Sequence, residues 1–329
     1  MSIFKNEISN SELRKVIEVL DSCELGFGKN VPLLESRFKP FSKKEYNVAT
    51  NSASAAAFII FSYLKDVYGE CDVYVPSLTF SSPVWAAQHH GHNIIFIDVQ
   101  DDANFSFQDY LSIRKSNSHK HSLCKPVVMP TLYSGVSTIQ NIDLVGDEIV
   151  VVDSAHCITP TIKCDFIFFS FHPQKPICSS DGGMLSCNDE SAYQYFNSCR
   201  NFGRQNSSSG YDISQNGFKF YMNNLNATIA LSQLAKQTIK LEERIIRYQY
   251  LKADTRFGKN ACDHDINSSY YFATLISEKS KELNKKHKLS KLYPPLHETS
   301  FYKHYRTRSL PNTERVYDNL CNIPLSHWL

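Results

Sequence analysis

Long apolar segments, a strong net charge and internal repeats are all missing from this sequence of 329 residues. Apolar runs such as Ile94–Ile97 are far too short to span a bilayer, so we expect no membrane partner. Lysine and arginine number 35 against 33 acidic residues, and this formal net charge of +2 leaves no overall field to attract nucleic acid. A secretory signal is also missing from the start of the sequence, which favours a cytoplasmic protein.

Cysteine is present, ten residues in all, but without the spacing of a disulfide scaffold or a zinc site. A chain of this length is not a small scaffold held together by disulfides. Neither Cys157 with Cys164 nor Cys178 with Cys187 has the close paired spacing typical of zinc ligands. We therefore expect reduced cysteines that mostly serve as small core residues, and no metal site.

Histidine occurs in two groups that could suggest metal binding. One group surrounds Gly91, where a helical pattern ends before the strand Ile94–Ile97, and cations in a last helical turn are common there. The other group lies in a polar segment near Cys124, which is typical of a surface loop. These structural interpretations are favoured over metal binding for both groups, which are His89, His90 and His92, and His119 and His121.

Short apolar runs that alternate with helical patterns predict a mostly parallel sheet with helices on both faces. Helices are predicted over Ser11–Leu20 and Ser52–Tyr63. Hydrophobic residues make up 42% and charged residues 21%, as in ordinary globular proteins, and the length suits a large domain plus a smaller one. The predicted strands are Asp72–Val75, Ile94–Ile97, Pro126–Met129, Ile149–Val152, Asp165–Phe169 and Met184–Ser186.

Two longer segments follow these strands. Arg204–Gly217 is small and polar and predicts a mobile loop. Asn224–Leu251 predicts one long helix, whose apolar stripe has a single polar break at Thr238. Such a helix would link a large domain to a small C-terminal one.

An acid and a lysine stand at the ends of two consecutive predicted strands. Asp153 follows Ile149–Val152, and Lys175, 22 residues later, follows Asp165–Phe169. A pyridoxal phosphate (PLP) enzyme needs this pair, because the lysine forms a Schiff base and the acid keeps the pyridine nitrogen protonated. Both can reach the carboxyl edge of one sheet, where open α/β folds bind ligands. Either residue alone has an ordinary interpretation, as a turn cap or a solvated cation.

Further motifs lie in order around this pair. Together they resemble, over nearly the whole chain, the DegT-type (DegT/DnrJ) nucleotide-sugar aminotransferases, a family of fold-type I PLP enzymes. The motifs are Leu25-Gly-Phe-Gly28, Leu34-Glu-Ser-Arg-Phe38, Thr50-Asn-Ser-Ala-Ser-Ala-Ala56, Val75-Pro-Ser-Leu-Thr-Phe80, Asp153-Ser-Ala-His156, Ser170-Phe-His-Pro-Gln-Lys175, Arg200-Asn-Phe-Gly203, Gly217-Phe-Lys-Phe-Tyr-Met222 with Leu225-Asn-Ala227, Tyr293-Pro-Pro-Leu-His297 and Leu310-Pro-Asn-Thr-Glu314.

The resemblance implies an α/β fold with a mostly parallel central sheet flanked by helices, and a smaller C-terminal α+β domain. The large PLP-binding domain would span residues 1–245, with residues 1–30 at the active-site entrance, and the small domain residues 246–329. A homodimer with shared active sites is implied as well.

The resemblance also assigns roles to residues at matching positions. Lys175 would carry the PLP and shuttle the substrate proton, Asp153 would pair with the pyridine nitrogen, and His156 would lie near the ring oxygen. Phe80 would stack on the ring face. Phosphate contacts are implied for Ala53, Ser54 and Ser170.

Three positions depart from the family pattern. Lys219 stands where Asn usually reaches across the dimer to the phosphate, so it either contacts the phosphate or is solvated in a rebuilt loop. Tyr221 replaces an arginine, and Asp181 stands where glutamate is common.

The implied activity moves an amino group, with glutamate as the expected donor, onto a nucleotide-linked 6-deoxy sugar with a 4-keto or 3-keto group, for surface polysaccharides or modified sugars. Lys175 favours transamination over dehydration, because a related dehydrating branch has histidine there. Two alternatives stay open. One is a PLP enzyme acting on a non-nucleotide ketone, since the region after Tyr250 is short, and the other is a catalytically silent PLP-binding regulator.

Overall fold

A computed structural model describes residues 7–117, 124–139, 144, 146–207, 210–289, 291–306 and 308–326. The strands are β1 (Tyr46–Thr50), β2 (Cys71–Pro76), β3 (Asn93–Ile97), β4 (Lys125–Val128), β5 (Ile149–Asp153), β6 (Phe166–Ser170), β7 (Gly183–Cys187), β8 (Arg204–Ser207), β9 (Gly210–Ile213), β10 (Phe272–Ile276) and β11 (Leu320–Pro324). The helices are α1 (Asn10–Ser22), α2 (Asn30–Ser42), α3 (Ala53–Tyr68), α4 (Ser81–His89), α5 (Phe107–Asn117), α6 (Glu190–Cys199), α7 (Asn224–Leu234), α8 (Gln237–Ala253), α9 (Ser280–His287) and α10 (Pro311–Asp318).

The central sheet has the strand order β1-β7-β6-β5-β4-β2-β3, and the strands from β2 to β6 pair in parallel. Strand β7 runs in the opposite direction to β1 and β6, between which it lies, so it starts at the edge where those two strands end. Successive residues of the strands face opposite sides. Val73 and Val75 belong to one buried cluster and Tyr74 to the other, which is why the strands read as continuous apolar runs. The predicted fold class is confirmed.

The C-terminal part contains a second, two-stranded antiparallel sheet of β10 and β11, with α9 and α10 in the same region. Helix α8 crosses the predicted domain boundary at residue 245, and the two domain spans stay a prediction. None of the helices in the described ranges is both long and apolar enough to cross a bilayer.

The prediction of one long helix over Asn224–Leu251 is wrong, because α7 ends at Leu234 and α8 begins at Gln237. Long-range contacts accompany the break. Lys236, between the helices, forms an ion pair with Glu12 of α1, and Gln237 donates to the Pro176 carbonyl at 2.6 Å. Burial alone would raise the pKa of Glu12, but hydrogen bonds from Lys236 and Ser9 lower it to about 2. Helical periodicity cannot show such contacts, since they join residues far apart in sequence.

The segment Arg204–Gly217, predicted as a loop, instead contains the short hairpin β8–β9.

The predicted helix end near Gly91 is confirmed, with φ at +79° for this glycine. His92 is buried and structural, because its Nδ1 accepts from the Cys71 N–H at 3.1 Å and its Nε2 lies 3.0 Å from the Phe61 carbonyl. His119 and His121 lie outside the described residues.

All ten cysteines are free and six are buried, which confirms that most are core residues.

Candidate active site

The carboxyl edge of the central sheet encloses a cavity of about 320 Å³. Strand ends deliver its polar lining, because β1, β2, β5 and β6 all finish at this edge. Seven of the eight predicted site residues line it, and Lys219 does not. The seven are Ala53, Ser54, Phe80, Asp153, His156, Ser170 and Lys175.

Asp153 and Lys175 form a buried acid and base in this cavity. Asp153 is the last residue of β5, and its Oδ1 accepts the Ala155 N–H at 2.9 Å. Burial raises the pKa of the Asp153 carboxyl to about 6, against the opposing effects of that hydrogen bond and of Lys175. Burial also lowers the pKa of the Lys175 amine to about 8, opposed by Asp153. Burial therefore makes Lys175 easier to deprotonate than a solvated lysine, and it makes the Asp153 carboxylate suited to a cationic partner.

His156 presents an unsatisfied polar atom to the same cavity. The residue is buried, and its Nδ1 has no hydrogen-bond partner among the described residues. Burial, followed by the charge of Lys175, holds the pKa of the imidazole well below its ordinary value. Its ring lies against Tyr271, with the centroids 4.7 Å apart. A buried, neutral imidazole with one idle nitrogen is suited to a hydrogen bond with a ligand.

The N-terminus of α3 forms a turn that is suited to bind an anion. Ser52 is the N-cap, and its Oγ accepts the Ala55 N–H at 3.1 Å. The following N–H groups of Ala53 and Ser54 belong to the first helical turn, where no intrahelical acceptor exists and the helix dipole is positive. Ser54 Oγ donates to Ser82 Oγ at 2.7 Å, which fixes the hydroxyl at the cavity wall.

Gly183, the first residue of β7, holds this turn in place. It pairs with Thr50 on one side and with Ser170 on the other. A Cβ at this position would lie 2.5 Å from the Ala53 nitrogen and 2.6 Å from the Ser52 carbonyl carbon. Glycine is therefore required for the close approach of strand and turn.

We expect Gly183→Ala to weaken PLP binding by about tenfold or more, because overpacking of this kind costs roughly 1–3 kcal/mol and here displaces the turn itself. Absorbance titration of the cofactor-free protein with PLP measures the effect. Gly26→Ala is the matched control, since a Cβ there meets nothing within 4 Å. Unchanged PLP affinity in Gly183→Ala would show that the turn does not bind the phosphate.

Several lining residues were not predicted as site residues. Two tyrosines of the C-terminal part reach the cavity, Tyr271 and Tyr293, and His172 and Gln174 come from the segment before Lys175. Lys175 Nζ lies 5.0 Å from the centroid of the Tyr271 ring. Tyr293 belongs to a motif noted in the sequence, whereas no local pattern marks Tyr271.

Lys219 lies near the turn at Ser52 but does not line the cavity. Its carbonyl oxygen accepts from Asn51 Nδ2 at 3.2 Å, its side chain is exposed, and its Nζ lies 5.8 Å from the Tyr221 ring centroid. Arg200, also in a noted motif, is buried. It forms an ion pair with Glu35 and donates to the Ala49 carbonyl at 2.8 Å, so it joins α2 to β1.

These features fit PLP. The buried Asp153 carboxyl suits a pyridinium cation, the idle His156 Nδ1 suits the ring oxygen, and the α3 N-terminus suits a phosphate. The charge of Lys175 affects the pKa of both Asp153 and His156, so the three groups interact within the cavity.

Comparison with known proteins agrees with this geometry. The sequence model of the DegT/DnrJ/EryC1/StrS aminotransferase family matches residues 6–329. The spore coat polysaccharide biosynthesis protein SpsC of Bacillus subtilis (strain 168) is 24% identical, over 97% of this chain and 90% of SpsC.

Solved structures share the fold. Spr1654 from Streptococcus pneumoniae, in its PMP form, superposes with a TM-score of 0.83 at 21% identity, covering 98% of this chain and 91% of that one. Helicobacter pylori PseC, an aminotransferase involved in the biosynthesis of pseudoaminic acid, superposes with a TM-score of 0.84 at 18% identity, covering 98% and 92%. The chain has the fold-type I architecture, and as a PLP-dependent aminotransferase it belongs to the DegT/DnrJ/EryC1/StrS aminotransferase family.

Proposed function

We propose that this protein transfers an amino group from glutamate to the C4 ketone of a nucleotide-linked 4-keto-6-deoxy sugar, with a C3 ketone as the second candidate. The observation that carries the proposal is the single cavity in which Lys175, Asp153 and His156 meet beside the α3 N-terminus. The names of SpsC and PseC, which refer to polysaccharide and pseudoaminic acid biosynthesis, support a sugar substrate.

Each residue has a distinct task in this proposal. When bound, PLP supplies a ring that accepts electrons from the carbon carrying the amino group. Lys175 would hold the cofactor, and its amine, when free, would move a proton to and from the substrate carbon. The lowered pKa of Lys175, about 8, leaves part of the amine free of a proton near neutral pH.

The remaining groups hold the cofactor in position. Asp153 accepts a hydrogen bond from the protonated pyridine nitrogen, and the cation offsets the burial of the acid. His156 donates to or accepts from the ring oxygen through its idle Nδ1. The Ala53 and Ser54 N–H groups and the Ser170 hydroxyl would bind the phosphate, and Phe80 would pack against the ring.

The activity can be tested in two separate steps. Purified protein loaded with PLP is first mixed with glutamate, and loss of the visible PLP absorbance reports amino transfer to the cofactor. The aminated form is then mixed with nucleotide-linked 4-keto and 3-keto sugars in turn, and recovery of the absorbance identifies the acceptor. Recovery with simple 2-keto acids but with none of the sugars would contradict the proposed substrate class.

We further propose a homodimer in which Lys219 completes the phosphate site of the neighbouring subunit. Lys175 is the only lysine, and arginine is absent, among the described residues that line the cavity. A doubly charged phosphate would therefore gain from another cation, and Lys219 is exposed beside the turn that starts α3.

Mixing two variants tests the shared site. Lys175→Ala and Lys219→Ala homodimers should each be impaired, but a mixed dimer would hold one site with both changes and one intact site. About a quarter of the wild-type activity should return, since half of randomly paired dimers are mixed and each has one intact site. Absence of recovery between impaired chains that exchange by mass spectrometry would rule out the shared arrangement.

A further inference from the structure

Tyr293 places a buried hydroxyl without a partner in the active-site cavity. The residue lines the cavity, and its Oη has no hydrogen-bond partner in the part of the chain that the structure describes. Its ring lies between two aromatic neighbours, with centroids 6.2 Å from Phe80 and 6.1 Å from Tyr133. A buried hydroxyl without a hydrogen-bond partner is unfavourable. The Tyr293 hydroxyl is therefore expected to donate a hydrogen bond to a ligand that occupies the cavity.

The segment that carries Tyr293 is fixed to the strand that delivers Phe80. The Leu296 N–H donates to the Ser77 carbonyl at 2.8 Å, and the His297 N–H donates to Ser77 Oγ at 3.1 Å. Ser77 Oγ also lies 2.6 Å from His297 Nδ1, and both side chains are buried. These hydrogen bonds fix the position of Tyr293 relative to Phe80, and residues that bind a substrate need such fixed positions.

Tyr293 also lies where the cavity meets a second, more open one. A groove of about 540 Å³ shares Phe80, Ser82 and Tyr293 with the cavity. None of the described residues that line the groove carries a formal charge, and Trp85, Phe301 and Tyr302 make much of its surface aromatic. A substrate whose reacting carbon approaches Lys175 would extend past Tyr293 into this groove, and the part beside the tyrosine would be uncharged.

We propose that the Tyr293 hydroxyl donates a hydrogen bond to an uncharged oxygen of the keto sugar, next to its reacting carbon, and so selects the sugar over smaller ketones. This inference rests on the proposed function and adds a substrate contact to it. Burial raises the pKa of the Tyr293 phenol well above its ordinary value, so the group stays a donor throughout the working pH range. The charged carboxylate of an amino-acid donor is a poorer match for this uncharged surface.

The two half-reactions distinguish a sugar contact from any other role. Tyr293→Phe removes only the hydroxyl, and we expect kcat/KM for the keto-sugar half-reaction to fall about tenfold, mainly through KM. The glutamate half-reaction and the PLP affinity should stay within about twofold of the wild type. Tyr317→Phe is the matched control, because Tyr317 packs in the same cluster but lines neither cavity.

Each other outcome overturns the inference in a recognisable way. Equal losses in both half-reactions would place the hydroxyl on the cofactor or the amino donor, and weaker PLP binding would place it on the cofactor. Normal keto-sugar kinetics in Tyr293→Phe would contradict the hydrogen bond from Tyr293 to the sugar and would leave the proposed function intact. A wild-type protein that aminates no keto sugar would instead remove the proposed function, and the inference with it.

Discussion

Lys175→Ala protein should bind PLP but no longer retain it after borohydride reduction, and transamination should fall by at least about 10³-fold. The physical reason is that the variant loses both the covalent link to the cofactor and the base that moves the substrate proton. In the wild type, peptide mapping after reduction should find the pyridoxyl group on Lys175.

The fold should survive this change. Burial disfavours the Lys175 ammonium, as its lowered pKa of about 8 shows, so the lysine adds no stability to the cofactor-free protein through its charge near neutral pH. As the pH rises from about 8 toward the ordinary pKa of 10.5, the wild type should gain stability relative to the variant. Lys163→Ala is the matched control, an exposed lysine between β5 and β6. A pyridoxyl group on any other lysine would contradict the assignment.

Asp153→Asn protein should keep PLP bound yet lose on the order of 10²-fold in turnover, because a hydrogen bond to a charged partner is worth roughly 1.5–3 kcal/mol. The neutral amide cannot stabilise a protonated pyridine nitrogen, so the ring accepts electrons less readily. Steady-state kinetics with PLP in excess measures the loss. Asp165→Asn is the matched control, since Asp165 Oδ2 accepts the Val150 N–H at 2.8 Å before β6 begins, away from the site.

The stability of the cofactor-free Asp153→Asn variant should move in the opposite direction from its activity. Because burial raises the folded pKa of Asp153 from 3.8 to about 6, ionisation of this acid destabilises the folded wild type as the pH rises through that interval. The neutral amide of the variant carries no such penalty, so the thermal stability of the variant relative to the wild type should increase between these pH values and level off above them. Near-normal turnover in Asp153→Asn would contradict a role for Asp153 in the reaction and would show that it is a structural residue at a strand end.

Sequence patterns were enough to locate most of the candidate site because its residues follow local signals. Asp153 ends a continuous apolar strand, Lys175 follows the next strand, and Ser52 caps the helix that starts at Ala53. Parallel strands that are adjacent in the sheet end at the same edge, so the positions of these residues along the chain predict that they meet.

Tertiary packing decided the features that depend on contacts between distant residues. Strand β1, Tyr46–Thr50, was not predicted, and its pairing with β7 brings Gly183 against the turn at Ser52. The break between α7 and α8 accompanies the ion pair of Lys236 with Glu12. Tyr271 reaches Lys175 from nearly a hundred residues away in sequence.

The sequence by itself therefore predicted the fold class and the acid and lysine of the candidate site, because these follow from short-range periodicity and strand ends, and its resemblance to the family predicted the cofactor and the phosphate contacts at the start of α3. Only the tertiary structure decided that Tyr271 and Tyr293 line the cavity, that Gly183 packs against the turn at Ser52, and that Lys219 does not line the cavity. Those arrangements are set by packing between elements far apart in the chain, and no local spacing encodes them.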